Sequence, residues 1–68
     1  MANHVYGILP IVGTSPESIE KAVQNALAKA RESIKNIRWF EVVETRGYVE
    51  SDTTVHWQVT IKIGHSLD

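Results

Sequence analysis

The sequence predicts an α+β fold of βαββ order, a three-stranded antiparallel sheet in the order 1-3-2 wrapped on one long helix. Three observations lead there. A β-prone apolar run from His4 to Val12 ends at Gly13. A stripe at helical spacing follows it. Strict alternation then runs from Val55 to Ile63. With 68 residues the chain is expected to form one domain, 1–68.

The helix start is expected at Thr14-Ser15-Pro16-Glu17. There Ser15 can cap free N–H groups, Pro16 suits the first helical position, and Glu17 favours the positive end of the dipole. Ile19, Ala22, Val23, Ala26, Leu27, Ala30, Ile34 and Ile37 recur three and four residues apart, on one face. Charged and amide side chains take the other faces, and the alanines permit a close approach to a sheet. The helix is expected to end near Asn36.

The second strand is expected from Trp39 to Glu50. Simple alternation puts Phe40 and Val42 on one face and Trp39, Glu41, Val43 and Thr45 on the other. Ser51-Asp52 supplies the turn. In the third strand Val55, Trp57, Val59, Ile61 and Ile63 alternate with His56, Gln58, Thr60 and Lys62, one face buried and one polar. The helix returns the chain so that strand two begins parallel to strand one, and strand three slots between them by a hairpin. Pro10 agrees, since proline is tolerated on an edge strand and not in the centre.

Composition narrows the function. Seven basic against eight acidic residues give a net charge of −1, with the signs interspersed. Nucleic acid and anionic membranes need clustered Lys and Arg, so neither is an expected partner. No run approaches the ~20 apolar residues of a membrane helix. The start has no basic segment leading into a long apolar run and does not read as a signal peptide, so a cytoplasmic location is expected. There is no cysteine, and His4, His56 and His65 show no metal-ligand spacing. A core of this size rarely supplies more than roughly 3–5 kcal/mol. With disulfides and metal removed as supports, self-association is the expected one. The unblunted edge of strand two, and a bare sheet face carrying Trp39, Val43, Tyr6 and Ile8, point to another copy of the chain as partner.

Trp39 is the most informative residue. Alternation puts it away from the helix, where it either packs in a subunit interface or offers a stacking platform to a flat aromatic ligand. Trp57 alternates with aliphatics and reads as helix-facing core or its rim. Gln58 shares the face of Trp39, and its amide both donates and accepts, which suits the edge of a heterocycle as well as it suits solvent. Arg46, beside Gly47, is placed for a phosphate or for an exposed salt bridge. No nucleophile–base pair, acid–base pair or metal cluster is visible: Ser15 is assigned to capping, and Glu41 and Glu44 are expected on opposite faces. The chain does not read as an enzyme.

Val12-Gly13-Thr14-Ser15 leading into an amphipathic helix, Trp39-Phe40-Glu41-Val42 opening strand two, and Arg46-Gly47, Gln58-Val59 and Ile63-Gly64 together resemble the dodecin family over essentially the whole chain. The resemblance implies a hollow homododecamer that binds flavins in pairs between subunits. In it Trp39 stacks on the isoalloxazine ring and Gln58 bonds the pyrimidine-like edge. Arg46 matches an arginine associated with phosphate-bearing ligands. FMN or riboflavin is the implied cofactor, stored and quenched rather than turned over. The alternatives are a self-assembling structural domain and a binder of a coenzyme A-type ligand. A turn at Ser51-Asp52 places Gln58 opposite about Thr45, with Trp39 six residues further on, roughly 20 Å away. Trp39 and Gln58 of one pocket are therefore expected from different subunits, unless a bulge shortens the strand.

Overall fold

A computed structural model describes residues 3–52 and 55–68. The order is β1 (Tyr6–Ser15), α1 (Ile19–Ala30), β2 (Ile37–Val49) and β3 (Val55–Ser66). The strands form one antiparallel sheet, β1-β3-β2, as the sequence predicts. The predicted turn at Ser51-Asp52 falls in the β2–β3 connection, where Thr53 and Thr54 lie outside the described residues.

The helix packs on β1 and β3. Its buried residues, Ala22, Ala26 and Ala30, meet Val59, Ile61 and Ile63 of β3, with Ile11, Val23, Leu27, Ile34 and Ile37 packed around them. Gly13 makes the close approach possible, because a Cβ there would overlap the Ala22 carbonyl oxygen and stand 2.8 Å from the Ala26 Cβ. The Asn25 amide adds a bond to the Thr14 carbonyl oxygen, 3.0 Å.

Both helix ends differ from the sequence expectation. Thr14 and Ser15 continue β1, paired with Gln58 and Trp57, so the buried Ser15 is not the cap. Its hydroxyl accepts from the Glu17 N–H at 2.9 Å, within the turn that precedes the helix. Ser18, in extended conformation, is the N-cap and accepts from Lys21 N–H at 3.0 Å. Pro16 therefore precedes the helix instead of opening it. At the other end regular helix stops at Ala30, short of Asn36. Bonds from Arg31 N–H to Leu27 O and from Ile34 N–H to Ala30 O close the last turns. Asn36 then takes the left-handed conformation, φ 61°, and Ile37 opens β2. Ile34 and Ile37 reach the core from beyond the helix, so the apolar stripe outlasts the element that began it.

β2 carries two irregularities, between Ile37 and Trp39 and between Val42 and Glu44. The second changes its facing. Phe40 and Val42 stand opposite Ile63 and Ile61 on the helix side, as expected. Past the extra residue Val43, Thr45 joins that side opposite Val59, while Glu41 and Glu44 share the far face opposite Lys62 and Thr60. Glu41 lies on the far face as expected, while the expected placements of Thr45 and Glu44 are both reversed by this one residue, which puts the two glutamates on one face. Among the described residues no helix is long and apolar enough to cross a membrane.

The Gly13→Ala variant is expected to lose about 1–3 kcal/mol through overpacking against Ala22 and Ala26. Denaturant unfolding at fixed protein concentration measures it, and wild-type stability would mean the helix does not rest on that glycine.

Candidate functional site

The candidate residues lie on the sheet face turned away from the helix. Trp39 stands opposite Gly64 of β3, which in turn faces Ile8 of β1. A Cβ built on Gly64 would overlap Cε2, Cζ2 and Cδ2 of the indole. Cε2 is a ring-fusion carbon that nothing can approach in the plane of the ring. The indole therefore lies with one face across the Gly64 backbone. Tyr6 meets it edge to face, with centroids 5.0 Å apart and planes at 71°. Trp39 is still 41% exposed, so the outer side of the ring is open.

Gln58 and Arg46 are brought together, paired across β3 and β2 on this same face. The bulge at Val43 is responsible, since simple alternation would have turned Arg46 toward the helix side. Arg46 Nη2 donates to Glu44 Oε1 at 2.8 Å, an exposed pair within one strand. One step along the ladder, Tyr48 and His56 stack with centroids 5.3 Å apart and planes at 14°. His56 Nδ1 lies 3.2 Å from Glu50 Oε1, though not aligned for a hydrogen bond.

Trp39 is not brought to the other two. Gln58 pairs with Arg46 and Gly64 with Trp39, so six β3 positions separate them, about 20 Å along the strand. The partner of Gln58 is Arg46 and not Thr45, because the hairpin register set by the Val49–Val55 pair lies one residue from that of a turn at Ser51-Asp52. Sequence reasoning missed Tyr6 as a partner of Trp39 and Gly64 as its seat. The Ile63-Gly64 pair beside an aromatic strand was the available signal for the seat.

An open groove of about 400 Å³, lined by Ile19, Val23, Leu27, Phe40 and Val42 among others, lies on the helix side, across the sheet from these residues. It exists because the helix sits over β1 and β3 and leaves the apolar side chains of β2 uncovered. Trp57 is half-buried on that side, its ring against Gly47, in agreement with its reading as core rim. Among the described residues no three His, Asp or Glu side chains are grouped to hold a metal ion.

The strand order, the single helix and the glycine-seated indole on the open face define a small βαββ domain. The dodecin family model matches residues 5–68, and the chain belongs to that family. Dodecin of Thermus thermophilus is 41% identical over 64 residues, covering 94% of this chain and 93% of that protein. The structure of dodecin from Streptomyces davaonensis superposes with a TM-score of 0.92 at 46% identity, over 98% of both chains. A calcium dodecin of Mycobacterium tuberculosis is 32% identical over 63 residues, covering 93% of this chain and 89% of that one. Its crystal structure, described with a novel calcium-binding site, superposes with a TM-score of 0.84.

Gly64→Ala is expected to lift the indole from the sheet. In a Trp57→Phe background the emission of Trp39 would then become more accessible to acrylamide. Unchanged quenching would mean that the ring does not lie on Gly64.

Proposed function

We propose that this protein binds and stores a flavin, FMN or riboflavin, between subunits of a self-assembled hollow oligomer, a homododecamer as in the family resemblance. The observation that carries the reading is the indole of Trp39, laid flat on Gly64 with its outer face open. A flat tricyclic ring is the natural complement of such a surface, and aromatic stacking contributes roughly 1–3 kcal/mol. Gln58 offers a donor and an acceptor to the edge of the same kind of heterocycle. Arg46 is available to a phosphate, because its exposed pair with Glu44 is worth at most about 1 kcal/mol and exchanges readily.

The separation of Trp39 from Gln58 makes the pocket a shared one. A span of about 20 Å exceeds the length of a tricyclic ring, so the two groups that meet one flavin come from different chains. The exposed surface supports assembly. The chain exposes 4941 Å², against roughly 4300 Å² for a compact monomer of its mass. Tyr6, Ile8, Val12 and Trp39 on the far face, and Phe40 and Val42 on the near one, are all exposed. Apolar area on this scale marks an interaction surface.

The role is binding without turnover. Ser15, the serine of the helix entry, is buried and its hydroxyl is committed to the Glu17 N–H. A tryptophan stacked on a flavin donates an electron to its excited state, so the bound flavin is dark and photochemically quiet. Such sequestration is at home in the cytoplasm, where free flavins are handled. A coenzyme A-type ligand is the second reading, favoured by Arg46 standing next to Gln58 and away from Trp39.

Titrating FMN and riboflavin with the apo-protein, alongside its mass in solution, tests the proposal. Flavin emission is expected to be strongly quenched near one flavin per chain, on a particle of about twelve chains. Trp39→Ala is expected to keep that mass and weaken flavin binding by roughly 1–3 kcal/mol. An intact oligomer that leaves flavin emission unchanged would overturn the reading.

A further inference from the structure

Trp39 and Tyr6 are both surface residues, 41% and 44% exposed, so core packing does not hold either ring. An exposed tryptophan samples several rotamers on the picosecond to nanosecond scale. Within one chain this indole has two restraints. Gly64 removes the side chain that would occupy the seat beneath the indole, and the ring of Tyr6 closes one side of it at 5.0 Å and 71°. The glycine permits the flat attitude without enforcing it. The enforcement falls to Tyr6.

Tyr6 is itself braced. It opens β1 opposite Ser66, where the two ends of the chain are sewn together. Leu67 N–H donates to Val5 O at 2.9 Å, and Val5 N–H donates to Asp68 Oδ1 at 3.3 Å. His4 Nδ1 lies 2.9 Å from Asp68 Oδ2, and its ring stands 6.3 Å from that of Tyr6, tilted by 32°. Asp68, His4, Tyr6 and Trp39 thus follow one another across the end of the sheet. Nothing in this sequence of contacts is needed for the core, which lies on the other face.

We propose that Tyr6 is a positioning residue of the ligand site: its ring holds the indole of Trp39 flat over Gly64, in the attitude that stacks a planar ligand. The inference rests on the reading of Trp39 as a stacking platform and adds the group that presets it. Ordering a rotamer-rich side chain at the moment of binding weakens association, and an edge-to-face aromatic contact is strong enough to do that ordering in advance.

Two measurements on the full-length oligomer test this. In a Trp57→Phe background Trp39 is the sole indole, and time-resolved anisotropy of the apo-protein reports its local motion. FMN titration reports the consequence for binding. Tyr6→Leu, which keeps apolar volume and removes the ring, is expected to introduce a sub-nanosecond depolarisation of Trp39. It is also expected to raise the Kd for FMN about three- to tenfold and leave the saturated flavin brighter, at unchanged particle mass. Tyr6→Phe keeps the ring without the hydroxyl and is expected to rescue all three. If the Tyr6→Leu particle falls apart, Tyr6→Val, a good strand former, replaces it. The proposal is overturned if Trp39 stays as still as in the parent, whether FMN binds normally or more weakly. Weaker binding with a still indole would mean that Tyr6 touches the ligand directly. If FMN does not bind the parent oligomer at all, the flavin reading fails, and anisotropy alone decides whether Tyr6 positions the indole.

Discussion

β3 lies between two partners, and its alternation is inflexible: Val59, Ile61 and Ile63 must face the helix, so Gln58, Thr60, Lys62 and Gly64 must face away. A partner strand in unbroken register would share that parity along its whole length. β2 does not, because Val43 is an extra residue. It keeps Phe40 and Val42 on the helix side and then changes phase, so that Glu44, Arg46 and Tyr48 rise on the far face beside Thr60, Gln58 and His56. The same step brings Gly47 under the ring of Trp57. Polar groups near the hairpin and the indole at the other end of the strand pair therefore share one surface. The facing of every residue beyond Val43 depends on this single insertion.

The second constraint is how the helix is seated. Small residues on both sides, Gly13 against Ala22 and Ala26, draw it close to β1 and β3 and away from β2. A twelve-residue helix, about 18 Å long, covers only part of a molecule extending 57 × 20 × 14 Å. The uncovered apolar surface of β2 and of the far sheet face has no partner within the chain, and no disulfide offsets the small core. Under the proposed reading, assembly and ligand binding are one problem. The surfaces that other copies would cover also carry Trp39, Gln58 and Arg46, at distances that a single chain does not close.

Element order, strand order and the facing of β3 were legible in the sequence, because β3 alternates without interruption and Pro10 marks an edge. The helix boundaries were less so. Ser15 and Ser18 are both competent caps, and only the pairing of Thr14 and Ser15 with β3 decides between them. Ile34 and Ile37 fit a helical stripe and fit equally well a chain that turns and packs beneath it. At the site, Trp39 and Gln58 could be assigned to one face from alternation alone. Arg46 could not, since a bulge leaves no mark in a run such as Val42-Val43. Tyr6 was placed on the correct face, but its contact with Trp39 crosses an intervening strand and has no local signature.

The central claim is that one flavin is held by side chains of two chains, because β2 and β3 set Trp39 and Gln58 six positions apart. A crystal structure of the FMN complex tests it most directly. The account predicts an isoalloxazine ring stacked on Trp39 of one protomer, with its pyrimidine edge bonded to Gln58 of another. A ring contacting Trp39 and Gln58 of the same chain would contradict it.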